Sequence, residues 1–301
     1  MRVLHILDHS LPLHSGYAFR TVEILREQRA LGWHTVQLTT PRHGKFATNP
    51  ETADGWTFHR TPLSPSMITR LPAGTYVSEM RATKHRISEL AKAHEIEVLH
   101  AHSPVLNALP AIWAGRALGL PVVYELRALW EDAAVDHGTT TEGSLRYQVS
   151  RALETYALKR AAHVTTICEG LRTEIIARGI SPERVTRSEE HTSELQSPVS
   201  EQPLRAKLGL QNASTIIGFA GSFYAYEGLD LLIQAAAKLR VSDPNIRLLL
   251  VGGGPQEQEL RQLVGRLGLA EVVIFTGRVP HAHVQGYYDL IDVLAYPRKR
   301  M

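Results

Sequence analysis

Two consecutive stretches constrain the fold more than any other part of the chain: Ile216 to Arg240 (IIGFAGSFYAYEGLDLLIQAAAKLR) and Ile246 to Gly268 (IRLLLVGGGPQEQELRQLVGRLG). Each opens with a wholly apolar run, Ile216 to Ala220 and Leu248 to Val251, and passes through a glycine-containing turn. Each then continues with apolar residues at helical spacing: Leu229, Leu232, Ile233, Ala236 and Leu239 in the first, Leu260, Leu263 and Leu267 in the second. This reads as strand, loop, helix, twice. An apolar run without alternation predicts a strand covered on both faces, as in a parallel α/β sheet. Strand-to-helix loops of such a sheet gather on one edge, where helix N-termini offer backbone N–H groups and a positive dipole end to anions. Both glycine loops therefore point towards a phosphate-bearing ligand. Neither GSFYAYEG nor GGGP is a GxGxxG fingerprint or a P-loop, so spacing names no cofactor. Taken singly, Gly221 and Gly252, Gly253 and Gly254 could equally serve only as tight turns.

The 301 residues suit one large or two ordinary domains, and 44% hydrophobic with 21% charged residues is ordinary for a globular protein. No apolar run reaches the ~18 residues of a membrane span. The amino terminus MRVLHILDHSLP reads as a first strand rather than a signal peptide. The single cysteine, Cys168, excludes an intramolecular disulfide and suits a reducing cytoplasm. A net charge of +3 and a pI near 9.0 come from scattered residues. With no basic block, nothing points to nucleic acid, whereas peripheral contact with the cytoplasmic face of a membrane is permitted without being required.

In chain order, Arg2 to Leu7 is expected as a strand, Tyr17 to Leu31 as a helix stopped by Gly32, and His34 to Thr39 as the next strand, a βαβ unit. Its first loop, DHSLPLHSGY, carries Asp8, His9, His14, Ser15 and Gly16. Pro41 to Gly74 reads as an excursion with short strands. Then follow a helix over Val77 to His94, a strand over Ile96 to His100, a helix over Val105 to Leu118 and a strand over Pro121 to Glu125. A polar loop, RALWEDAAVDHGTTTEG, leads to a helix over Ser144 to Ala161, a strand over His163 to Cys168 and a helix over Glu169 to Arg178. This alternation predicts a doubly wound α/β domain, with a second one starting near Ile216.

Two Rossmann-like domains in tandem with these loops resemble the retaining GT-B glycosyltransferases of the large group 1 family, which transfer sugars from nucleotide diphosphate donors. The resemblance covers nearly the whole chain. It matches Gly16 to the family's glycine near the donor phosphates and His102, after the IEVLHAHSP strand, to a histidine at the reacting centre. Gly221 to Gly228 matches a GxxxxxKG-like loop, Val251 to Pro255 matches VGxGP, and Phe275 to His281 (FTGRVPH, with Arg278 and Val279) matches the loop beside the nucleobase. The wording GSFYAYEGLDLLI and YELRALWED is most similar to transferases of exopolysaccharide pathways, including those beside exosortase systems. The resemblance implies a hexosyl transfer from a nucleotide sugar to a glycan or lipid-linked sugar acceptor with retained configuration. It places the donor mainly on the second domain, the acceptor on the first and the chemistry in the cleft between them, with no cofactor and no metal. His102 is expected to hydrogen-bond sugar or phosphate, with His14, Glu125 and Arg127 as acceptor or sugar contacts.

The chain departs from the family in three places. Ser222 and Glu227 stand where arginine and lysine commonly grip the pyrophosphate. A charge-assisted hydrogen bond contributes ~1.5–3 kcal/mol, so an unreplaced loss would weaken donor binding roughly ten- to a hundredfold. Arg278 or Arg127 could serve instead. Second, Arg187 to Pro198 (RSEEHTSELQSP) has one large apolar residue, Leu195, cannot supply the expected buried strand, and reads as the translation of a short-read sequencing adapter. The expected organisation is therefore a first domain over 1–186, an aberrant linker over 187–202 and a partial second domain over 203–301. Third, the chain stops at PRKRM, before the family's paired-glutamate motif, so it is expected to be a fragment, inactive as a transferase by itself.

Other readings of the same residues are bland or rival. His100 and His102 share a strand face and, with His5, His9 and His14, suggest zinc, but no acidic or cysteine partner has ligand spacing. Glu125, Glu131 and Asp132 could form a glycosidase pair; for Asp132 a solvated loop is preferred. Trp130 and Tyr147 could line an acceptor path, though packing explains them. A sugar-nucleotide epimerase of the same fold and a non-catalytic two-lobed sugar-binding protein are the rival functions.

Overall fold

The computed structural model describes all residues except 14, 64–72, 137, 189–200 and 300–301. The chain divides into two compact units, Met1–His191 and Thr192–Met301. In the first, the strands are β1 (Arg2–Leu7), β2 (His34–Thr39), β3 (Glu51–Ala53), β4 (Trp56–Arg60), β5 (Val98–His102), β6 (Val122–Leu126), β7 (His163–Thr166) and β8 (Val185–Arg187). They form one sheet in the order β3-β4-β2-β1-β5-β6-β7-β8, parallel except for the β3–β4 pair. The helices are α1 (Gly16–Ala30), α2 (Gly74–Ala93), α3 (Val105–Leu118), α4 (Trp130–Asp136), α5 (Leu145–Arg160) and α6 (Glu169–Ala177). Ser15 and Ser144 cap α1 and α5, each accepting a backbone N–H from the first turn.

Alternate residues of β1 and β5 face opposite sides of this sheet. Leu4, Ile6, Leu99 and Ala101 join the main core with Ile87 and Leu90 of α2 and Leu109 and Ile112 of α3. The opposite side, towards α1, carries a polar row. His5 stands in register with Gln37 of β2 and His100 of β5, and His102 with Glu125 of β6. A sheet interior built this way spends apolar burial on polar residues, which must be hydrogen-bonded to be tolerated.

The second unit holds α7 (Glu201–Lys207), β9 (Ile216–Ser222), α8 (Leu229–Ser242), β10 (Arg247–Gly253), α9 (Glu257–Arg266), β11 (Val273–Gly277), α10 (His281–Tyr288) and β12 (Val293–Leu294). Its four strands are parallel in the order β11-β10-β9-β12. On β10, Leu248 and Leu250 pack into one apolar cluster with Leu232, Ile233 and Leu260, while Leu249 and Val251 pack into another with Leu210 and Leu290. Both faces are covered, which is why the run shows no alternation.

Three sequence expectations shift. The fifth strand lies two residues later than Ile96–His100, because Ile96 instead closes α2: its N–H bonds to Ala91, after Glu95 turns with φ +49°. His102 thereby becomes the last strand residue. The polar stretch after β6 contains α4, whose buried Glu131 carries no apolar period to reveal it. Among the described residues, the strand at the hand-over is β8, ending at Arg187; the adapter-like segment lies outside the described residues from 189 onwards.

Candidate functional site

In the first unit, the carboxyl ends of β5 and β6 bring His102, Glu125 and Arg127 together. Glu125 Oε2 stands 2.5 Å from His102 Nδ1 and accepts from Arg127 Nη2 at 2.8 Å, while Oε1 accepts from Arg20 Nε of α1 at 3.0 Å. His102 Nε2 faces His5 Nδ1 at 2.9 Å, and His5 Nε2 lies 2.8 Å from Gln28 Oε1 of α1. Arg127 also donates to the Tyr17 carbonyl at 2.9 Å, and its guanidinium carbon sits 4.3 Å from the Tyr17 ring centre. The backbone is held as well: Arg127 N donates to Ser103 Oγ, and Asn107 Nδ2 to the His102 carbonyl.

Burial governs the charges. It pushes His102 down to about 4, against the opposing pull of Glu125. Burial also pushes His5 and His100 down to about 3. Burial would raise Glu125, but His102 and Arg127 outweigh it and hold the carboxyl well below its ordinary range. The cluster is thus neutral imidazoles around one carboxylate shared by two guanidiniums. His102 is fully buried with both ring nitrogens engaged, so a sugar or phosphate would reach it only by displacing a partner.

The first loop is tethered from below. Arg60, fully buried, donates to Ser10 Oγ at 2.6 Å and the Leu11 carbonyl at 2.7 Å and pairs with Glu51. His9 bridges Asp8 and Ser15 at 3.1 and 2.7 Å. Gly16 opens α1, and a β-carbon there would meet nothing within 4 Å. His14 lies outside the described residues.

In the second unit, the loops after β9 and β10 are pressed together. A β-carbon on Gly252, at φ +130°, would stand 2.0 Å from the Gly221 carbonyl oxygen, and one on Gly254 would stand 2.6 Å from the Phe223 nitrogen. Real side chains do not fit here, so these are glycines of close approach as well as of turning. Phe223 N donates to the Gly253 carbonyl and Gln256 N to the Phe223 carbonyl, locking one loop on the other. Ser222 ends β9 and pairs in register with Gly253. Arg278 is exposed beside these loops, its Cγ 3.5 Å from where a β-carbon on Gly253 would stand. Val279 packs into the cluster under β10.

Gly228 caps α8 with φ +71°, and a β-carbon there would meet the Pro297 carbonyl at 2.0 Å. Glu227 is buried and paired with Arg298 at 3.1 Å; Asp230 pairs with Lys299 at 2.5 Å. These two cations, which the sequence reading did not single out, stand at the loop where arginine and lysine are missing. Of its two candidates, Arg278 lies beside the glycine loops and Arg127 belongs to the first unit's carboxylate. Arg20, Gln28 and Tyr17 are further site residues carrying no local signal.

Glu131 is buried against Arg178 at 2.7 Å. Trp130 packs on the core. Asp132 accepts from the Tyr147 hydroxyl at 2.9 Å, and both line a polar groove of about 630 Å³ with Arg151 and Glu174.

Among solved structures, the chain resembles Anabaena HepE in complex with UDP (17% identity, TM-score 0.70, covering 100% of this chain and 75% of that one). It also resembles the sucrose-phosphate synthase of Thermosynechococcus elongatus (20% identity, TM-score 0.70, 99% and 75%). The fold is the GT-B class, built from two Rossmann-like units of parallel sheet and helices. Residues 15–187 match the Glycosyl transferase 4-like domain and residues 200–300 match Glycosyl transferases group 1, and the chain belongs to this glycosyltransferase family. A curated relative is the 2-deoxystreptamine glucosyltransferase of Streptomyces kanamyceticus, 28% identical over 61% of this chain and 48% of that protein. Another is the D-inositol 3-phosphate glycosyltransferase of Streptomyces griseus subsp. griseus, 23% identical over 98% of this chain and 69% of that protein. The chain thus spans about half the length of the first of these. Among the described residues, no helix is long and apolar enough to cross a membrane.

Proposed function

We propose that the protein transfers a hexosyl unit from a nucleotide diphosphate sugar to an acceptor hydroxyl with retained anomeric configuration, in exopolysaccharide or related glycan synthesis at the cytoplasmic membrane face. The observation that carries this reading is the pair of interlocked glycine loops, which bring together at one sheet edge the turns leading into α8 and α9, where helix N-termini favour a diphosphate. The donor diphosphate rests on 221–228 and 252–255, with Arg278 at its side and the nucleobase against 275–279. The UDP and UDP-glucose complexes of HepE support a uridine nucleotide as the first donor to try.

Catalysis rests on stabilising the departing diphosphate by preorganised dipoles and cations while positive charge develops on the sugar. His102, sealed between His5 and Glu125, acts as a positioning residue: it orients the carboxylate that holds Arg20 and Arg127. Gly16 serves the donor phosphates, and His14 the acceptor or sugar. Thermal stabilisation of the chain by a panel of nucleoside diphosphate sugars tests the reading; stabilisation by none of them contradicts it. Donor turnover with and without acceptor then separates a transferase from an epimerase or a binding protein.

A further inference from the structure

Three imidazoles converge on the α1 side of the first sheet. The parallel register of β1 on β5 sets His5 opposite His100, and His102 follows on the same face. A ring nitrogen of each lies within 4.8 Å of those of the other two. Ring centres are 4.3 to 5.2 Å apart.

Accounting for the protons exposes a deficit. At 2.5 Å, Glu125 Oε2 and His102 Nδ1 must have a hydrogen between them; Arg127 Nη2 also stands 2.9 Å from Nδ1, but its two N–H groups are taken by Glu125 Oε2 and Thr21 Oγ1, so Nδ1 carries the proton and Nε2 keeps a bare lone pair. Gln28 Oε1, an acceptor 2.8 Å from His5 Nε2, places that ring's proton on Nε2 and leaves Nδ1 bare. These two bare nitrogens face one another at 2.9 Å, and His100 Nε2 is buried with no hydrogen-bond partner. Lone pairs aimed at each other in a buried site are costly unless a cation lies between them.

We infer that His5 Nδ1, His102 Nε2 and a ring nitrogen of His100 bind one divalent late transition-metal ion, with zinc the best match to an all-imidazole set. The outer nitrogens are already held as metal-bound histidines require, one by a carboxylate and one by an amide oxygen. Tetrahedral ligation at ~2.0–2.1 Å sets ligand nitrogens about 3.3 Å apart, so the 2.9 Å contact opens by a few tenths of an ångström and the widest pair closes by roughly 1.5 Å. The ion would tie β1 to β5 and brace His102 against Glu125. No residue of the proposed donor site takes part, so this inference stands or falls separately from it. On sequence alone His5, His9 and His14 all stand near this pair, with no acidic or cysteine ligand; the strand register selects His5 as the third histidine. The rival account is a Gln28 amide turned over, which lets His5 Nδ1 donate to His102 and leaves a metal-free chain of hydrogen bonds.

The test is titration of the untagged, chelator-treated 301-residue chain with Zn²⁺, and separately with Co²⁺ for its visible spectrum. One ion per chain is expected, with the intense visible bands of four-coordinate cobalt. His100→Ala should weaken binding by at least about a hundredfold and Gln28→Ala by about tenfold, with tryptophan fluorescence unchanged. Should His100→Ala fail to fold, X-ray absorption of the zinc-loaded wild type decides, with three imidazole nitrogens expected around the metal. Absence of stoichiometric binding overturns the site in favour of the turned-over amide. Wild-type affinity in both variants, or a shell without three imidazoles, overturns it in favour of a surface site.

Discussion

Gly252 lies so close to Gly221 that a β-carbon on it would stand 2.0 Å from the Gly221 carbonyl oxygen. The clash is with backbone, which cannot swing aside, and the φ of +130° is itself strained for any L side chain. Gly252→Ala should therefore destabilise the second unit by about 2–4 kcal/mol and abolish nucleotide binding. Gly265→Ala, on the exposed side of α9 with nothing within 4 Å, should be neutral or stabilising by up to ~1 kcal/mol. Hydrogen exchange in peptides of the second unit measures both. Equal effects would show that crowding between the loops is not what selects glycine.

Glu125 is the shared acceptor of Arg20, Arg127 and His102, and all but Arg20 are nearly sealed from water. Removing its charge leaves the nearly buried Arg127 without its carboxylate, which costs about 3–5 kcal/mol in comparable cases. Glu125→Gln is expected to lower the denaturation midpoint of the first unit accordingly. All four tryptophans, Trp33, Trp56, Trp113 and Trp130, lie in that unit, so their fluorescence reports on it alone. A loss below about 1 kcal/mol, the scale of an exposed pair, would mean that solvent reaches the cluster.

Much of this architecture was legible in order along the chain, because it is written in local patterns. The doubled apolar run of β9 and β10 foretells a two-sided strand, and the paired cores of Leu248 and Leu249 bear that out. What stayed hidden is non-local. Nothing in the spacing places Arg20 of α1 on Glu125, or His5 beside His100, since strand order and helix docking decide those meetings. Arg298 on Glu227 is hidden for the same reason. β5 lies two residues later than the apolar pattern suggests because Ile96 is apolar whether it starts a strand or closes a helix, and that shift turns His102 from a loop residue into a buried one.

Glu154 provides a pH signature separate from the histidines. Burial, aided by the Glu131 charge and opposed by the hydrogen bond from the Tyr124 hydroxyl at 2.7 Å, pushes it up to about 8. A carboxyl raised in the folded state contributes stability that is fully present below its unfolded pKa near 4.5 and is lost as pH rises through about 8. Glu154→Gln keeps the shape and cannot ionise. Its stability advantage over wild type should grow from pH 5 to pH 8, by on the order of 3 kcal/mol, in tryptophan-monitored denaturation. A difference that is flat across this range would place an ionised Glu154 in the folded protein at low pH.

The reading as a glycosyltransferase turns on where the nucleotide sits. Hydrogen exchange with and without saturating UDP measures this on the chain as it is. Slower exchange is predicted in peptides spanning Phe219 to Leu229 and Val251 to Glu257, the interlocked loops and the helix starts that follow them. Protection confined to Gly16 and its neighbours in the first unit, or no protection anywhere, would contradict the assignment of the donor to the second unit.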